Sequence, residues 1–137
     1  MIVLDTGAWI WWVTDPSRLS RRARTVIETE EARQGLIVSA ISVWEVAVKV
    51  ALGKLELDRD VRSWISLASV YPGVIVHPLD ARDALESTLL PGRFHRDPAD
   101  RILIALARRL GVPLVTSDRA IRRYQARAHR LVGGAWA

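Results

Sequence analysis

The sequence predicts an α/β domain of three layers, α/β/α, around a central, mostly parallel sheet of four to five strands. Short apolar runs recur at Ile2–Leu4, Leu36–Ser39, 74–76 and 113–116. Between them lie segments of helical period closed by Gly or Pro, as βαβ crossovers require. The 137 residues hold one domain, 1–137, with a sizeable core but no room for a second.

Taken in order, Ile2, Val3 and Leu4 form a continuous apolar run with β-branched members, the mark of a strand buried on both faces. Asp5 ends it, and Gly7 is read as the point where the backbone turns away. Residues 8–13 hold three of the six tryptophans. They are too apolar for a solvated loop, so a short helix is expected, with Trp9 and Trp12 on one face. After a turn at Asp15 and Pro16, Ser20 reads as the N-cap of a half-exposed helix carrying Ala23, Val26 and Ile27 and running to Gly35. Strand Leu36–Ser39 leads to a helix at 42–52 closed by Gly53, and a polar connector at 54–60 leads to a helix at 61–70. The next strand, 74–76, precedes a helix at 80–90 with Asp80 as its N-cap. A charged loop at 93–97 opens the helix Pro98–Leu110, with Pro98 at its first position and Gly111 as terminator. Strand 113–116 is followed by a basic helix after Asp118, a candidate fifth strand at 131–132 and a frayed tail at 133–137.

Half the residues are apolar, which excludes a disordered chain. Cysteine is absent, which removes disulfides, thiolate metal sites and a cysteine nucleophile, and fits a reducing cytosol. The start lacks the basic region of a signal peptide, and no apolar run approaches the roughly 18 residues of a membrane span. A cytoplasmic protein without membrane association is expected. The formal charge is +5 and all but two of the twenty basic residues are arginine, the side chain shaped for bidentate phosphate contact. That leans toward a nucleic-acid partner, although an arginine-rich proteome gives the same balance on an ordinary surface.

In open parallel sheets, ligands bind beyond the carboxyl ends of the strands. Four acids fall there: Asp5 after the first strand, Glu45 early in the helix after the second, Asp100 in the first turn of the helix leading to the fourth, and Asp118 just beyond it. Helix capping offers a second reading for most of them. Ser42 with Glu45 forms a capping box, Asp97 is a natural N-cap, and Asp118 is placed to cap the basic helix after it. No cap clearly accounts for Asp5. Asp100 lies in line with Leu103, Ile104 and Ala107, pointing toward the sheet instead of solvent. Carboxylates converging on one edge repel, and a hard dication such as Mg²⁺ or Mn²⁺ removes the conflict.

The runs LDTGA, ISVWEVAVKVALGKL, FHRDPADRILIALA and LVTSD, in that order, resemble the PIN-domain ribonucleases, and most closely the VapC-type toxins of bacterial toxin–antitoxin pairs. The resemblance implies a Mg²⁺- or Mn²⁺-dependent endoribonuclease whose acidic residues correspond to Asp5, Glu45, Asp100 and Asp118. Asp97 matches a further acid, and Thr6 and Thr116 match hydroxyls that support the acids. Ala99 stands where phenylalanine is common. An antitoxin that masks the acids and a homodimer are implied too, and Trp44, Trp64 and the early tryptophans offer apolar surface for such contacts. An acidic pocket alone repels RNA, so Lys49, His95, Arg96 and Arg101 are candidate phosphate contacts; a local salt bridge is the alternative for Lys49 and Arg101.

Asp5, Thr6 and Gly7 also spell the DTG of aspartic proteases, but that chemistry needs an almost all-β chain. A phosphatase of the haloacid-dehalogenase type would place a nucleophilic aspartate at the same spot, yet its second aspartate is absent, since position 7 is Gly. A PIN-like module that binds RNA or a partner without cutting would have no use for four converging acids.

Overall fold

The computed structural model describes residues 1–92 and 97–124. Its sheet contains β1 (Ile2–Leu4), β2 (Leu36–Ser39), β3 (Val74–His77) and β4 (Leu114–Val115), all parallel, in the spatial order β3-β2-β1-β4. The helices are α1 (Thr6–Thr14), α2 (Arg21–Glu31), α3 (Ala40–Ala51), α4 (Val61–Ser69), α5 (Ala81–Glu86) and α6 (Pro98–Leu110), and 119–124 is helical at the end of the described residues. The expected fifth strand at 131–132 and the tail at 133–137 lie outside them.

The sheet separates two cores, and the two-residue period of the strands decides which side chain enters which. Ile2, Leu4, Leu36 and Val38 join Trp9, Trp12, Ile27, Val46 and Trp64 on one side. Val3, Ile37 and Leu114 join Leu103, Ile104, Ala107 and Tyr124 on the other. The expected three layers result. Trp9 is fully buried, its ring meeting Trp64 edge-on at 5.2 Å and its Nε1 donating to the Ala68 carbonyl at 3.1 Å. Of the tryptophans read as surplus surface, Trp9, Trp12 and Trp64 are therefore core, and Trp44 is 59% exposed.

Several boundaries differ from expectation. α1 starts at Thr6, so Gly7 lies inside the helix and makes no turn; a Cβ there would meet nothing nearer than Asp5 Oδ1 at 3.7 Å. Helix α2 ends at Glu31, four residues early, because the chain must turn through Gln34 (φ 55°) to bring the Gly35 carbonyl to the Ile2 amide. α3 begins at Ala40 with Ser39 as its cap, Oγ accepting from the Ile41 amide at 3.1 Å. The last residue of β2 is thus also the helix cap, and no loop intervenes. α5 has six residues because the Ser87 and Thr88 hydroxyls donate to the Ala84 and Leu85 carbonyls, satisfying acceptors that another turn would have used. Asp83, 2% exposed, ties α5 to α6 through Arg109, whose Nε and Nη2 donate to it at 2.6 and 2.9 Å. Among the described residues no helix is long and apolar enough to cross a membrane.

Candidate active site

The chain moves outward from β1 to β2 and β3 and then crosses back to place β4 on the other side of β1. The switch point therefore lies between the carboxyl ends of β1 and β4, where neighbouring connections diverge and leave a crevice. A cleft of about 240 Å³ opens there, lined by Asp5, Thr6, Gly7, Glu45, Lys49, Asp97, Asp100, Ser117 and Asp118. The acids singled out from sequence thus share one cavity, although they come from four separate stretches of chain.

Asp5 follows β1 directly and is only 7% exposed. It is also the N-cap of α1, Oδ1 accepting from the Ala8 amide at 2.7 Å, so a cap does account for it, contrary to expectation. Its other oxygen, Oδ2, accepts from the Thr116 hydroxyl, and Thr116 Oγ1 in turn accepts from the Asp118 amide at 3.0 Å. Because α3 starts at Ala40, Glu45 sits in the second turn and Ser42 is not a cap. The capping box fails, and both side chains turn to Thr6: its hydroxyl donates to Glu45 Oε1 and lies 2.8 Å from Ser42 Oγ. Asp97 caps α6 as expected, Oδ1 accepting from the Ala99 and Asp100 amides at 2.9 and 3.3 Å. Asp118 caps the last described helix, Oδ1 accepting from the Ile121 amide at 2.9 Å.

Burial and like charge set the protonation of this cluster. Desolvation pushes the Asp5 carboxyl up to about 6, against the lowering effect of the Thr116 and Ala8 hydrogen bonds. Asp100 is pushed to about 7, by desolvation first and then by the negative charges of Asp97, Glu45, Asp118 and Asp5. Glu45 is raised by desolvation, with Thr6 and Lys49 opposing. The donor chemistry suits a hard dication, since the groups are carboxylate oxygens with hydroxyls beside them. Among the described residues, however, no group of three or more acids or histidines is spaced to hold a metal ion as it stands. Closing onto an ion requires side-chain movement inside the cleft.

The basic candidates divide. Lys49 lines the cleft. Arg101 does not, and its Nη1 donates to the Ser87 carbonyl at 3.2 Å. His95 and Arg96 lie outside the described residues. Ser117, a wall of the cleft, went unnoticed in the sequence, where only its position between Thr116 and Asp118 marked it.

The PIN domain family matches residues 2–127. Ribonuclease VapC22 of Mycobacterium tuberculosis is 36% identical over 125 residues, which span 90% of this chain and 92% of that protein. Among solved structures, FitAcB from Neisseria gonorrhoeae superposes with a TM-score of 0.62 at 20% identity, over 92% of this chain and 94% of its own. FitAB bound to an IR36 DNA fragment gives 0.60 at 21%, over 91% of each chain. These two likenesses bear on the fold alone.

Proposed function

The chain belongs to the PIN-domain family, in its VapC-type ribonuclease branch, and on that premise we propose that it is a divalent-metal-dependent endoribonuclease, the toxin of a toxin–antitoxin pair. The observation that carries this reading is the meeting of Asp5, Glu45, Asp97, Asp100 and Asp118 in one cleft at the switch point of the sheet.

In the proposed mechanism Asp5 and Asp100 would hold the cation, and Glu45 and Asp118 would complete its surroundings directly or through water. Mg²⁺ or Mn²⁺ bound there supplies the acidity that makes water a nucleophile near neutral pH and offsets charge on the phosphate oxygens. Thr116 and Thr6 donate to Asp5 and Glu45, favouring the ionised carboxylates that bind a cation and accept a proton. One of these acids would take a proton from the water that adds to phosphorus, the bond from phosphorus to the in-line ribose oxygen would break, and that oxygen would leave as a hydroxyl with a proton from solvent. Lys49, one turn beyond Glu45, contacts the phosphate and supplies positive charge that the acids lack. The reaction takes place in the cytoplasm, and the chain works as a homodimer held in check by an antitoxin that covers the acids.

Asp5→Asn tests the site, because asparagine caps a helix as well as aspartate does but is a much poorer ligand for a hard dication. Loss of Mg²⁺-dependent cleavage of single-stranded RNA, with circular dichroism unchanged, is expected. Unchanged cleavage by the folded variant overturns the assignment. RNA binding without cleavage by the unsubstituted chain in Mg²⁺ moves it to the binding-module reading.

A further inference from the structure

A second cavity, about 750 Å³, abuts the acid cleft and shares two of its walls, Glu45 and Asp97; its remaining surface is apolar, made chiefly by Ile41, Trp44, Leu79 and Pro98. Trp44 precedes Glu45 on α3 and is 59% exposed, and Leu79 beside it is 47% exposed. Every other tryptophan among the described residues has a place in the core or a partner: Trp9, Trp12 and Trp64 are buried, and Trp11 carries the Arg18 guanidinium 3.9 Å from its ring centre. An indole left in water at the rim of an acidic cleft contributes little to folding, since its apolar surface stays wet.

We propose that Trp44 is the stacking platform for an unpaired base next to the scissile phosphate, making it a substrate-positioning residue that selects single-stranded RNA. This rests on the nuclease reading above. Continuity of the two cavities favours RNA as the occupant. A strand whose phosphate lies at Asp5 and Asp100 must lead its neighbouring nucleotide out of the cleft, and the apolar groove begins at the cleft's own walls. Aromatic faces hold any base without reading its edge, and they do so only for a base free of its duplex partner. Leu79 and Pro98 would form the floor against the sugar and base edge.

The test uses the full chain with Mg²⁺ and a single-stranded RNA that it cleaves, together with the same RNA made abasic, one position at a time, beside the cleaved bond. Trp44→Ala should raise KM roughly 5- to 150-fold, the span that one base stacked on an aromatic ring is worth, with kcat changed far less. Trp44→Phe should recover most of the loss, because a ring remains. At one flanking position the abasic substrate should cost the unsubstituted chain a similar factor and the Trp44→Ala variant almost nothing. An unchanged KM in Trp44→Ala overturns the proposal, as does independence of the two losses at every position. A variant that turns from dimer to monomer while its KM stays put assigns the groove to a second copy and also overturns it. Absence of cleavage by the unsubstituted chain defeats the nuclease reading itself, and the stacking role with it.

Discussion

Asp100→Asn should stabilise the protein without metal and abolish the stabilisation that metal confers. The Asp100 carboxyl stands at about 7 in the folded chain against an ordinary 3.8. Between those values the folded state keeps a proton that the unfolded chain has lost, so stability falls as pH rises through this window and the whole cost is present above it. The shift corresponds to about 4 kcal/mol at 1.36 kcal/mol per unit. Asp100 is only half-buried, and solvent screening reduces this to roughly 2 kcal/mol. Removing a negative charge from the first turn of α6 gives back about 0.3–1 kcal/mol, too little to reverse the sign. For 137 residues the net gain is a rise in Tm of roughly 3–7 °C at about pH 7.5 in EDTA, shrinking toward nothing as pH falls below about 3, where both states are protonated. Added Mg²⁺ should raise the Tm of the unsubstituted chain in proportion to the logarithm of its concentration above the dissociation constant and leave the variant unmoved. Scanning fluorimetry over pH and Mg²⁺ gives all four curves. A variant that melts lower than the parent at about pH 7.5 in EDTA, or that keeps the full Mg²⁺ shift, refutes the idea that Asp100 is a strained carboxylate awaiting a cation.

Thr116→Val removes the donor to Asp5, so the acid limb of the pH–rate profile should move up by about one unit, the worth of a hydrogen bond to a charged group; an unmoved limb excludes Asp5 from the titration. Asp83→Ala removes the carboxylate that receives two Arg109 hydrogen bonds while the exposed Arg109 turns to solvent, and should cost about 1.5–3 kcal/mol in urea unfolding, whereas Asp83→Leu combined with Arg109→Met should recover most of it. Gly73→Ala should cost more than about 2 kcal/mol, because Gly73 has φ +81° and its Cβ would come within 2.8 Å of the Glu31 backbone. Gly7→Ala, inside α1 where a Cβ makes only an ordinary contact with Asp5 Oδ1 at 3.7 Å, should instead be neutral or gain about 0.5–1 kcal/mol.

The layers were legible because strand and helix periods are read directly from apolar spacing, and Val3 and Ile37 facing the opposite core from Ile2 and Leu36 is that period expressed in space. Boundaries were less legible where a residue served two elements. Ser39 ends β2 and caps α3, so reserving separate residues for strand, turn and cap pushes the helix start to Ser42 and wrongly gives Glu45 a partner there. The same assumption sets capping against chemistry as alternatives for the acids. A carboxylate has two oxygens. Asp5 spends Oδ1 on the Ala8 amide while Oδ2 meets Thr116, and Asp97 and Asp118 also cap through Oδ1 while lining the cleft. A cap anchors the carboxylate to a rigid helix end, which limits the movement still needed to close on a cation. Helices that begin at the carboxyl edge of a parallel sheet must be capped there by some side chain, and aspartate does so with one oxygen to spare. An acid cluster is therefore something this topology can assemble from capping residues alone, and the feature that separates a cleft with work to do from a ring of caps is the residue that caps nothing. Glu45, held by Thr6 against the same cavity from the second turn of α3, is such a residue here, and Asp100, which follows the Asp97 cap in the first turn of α6, lines the cleft beside it.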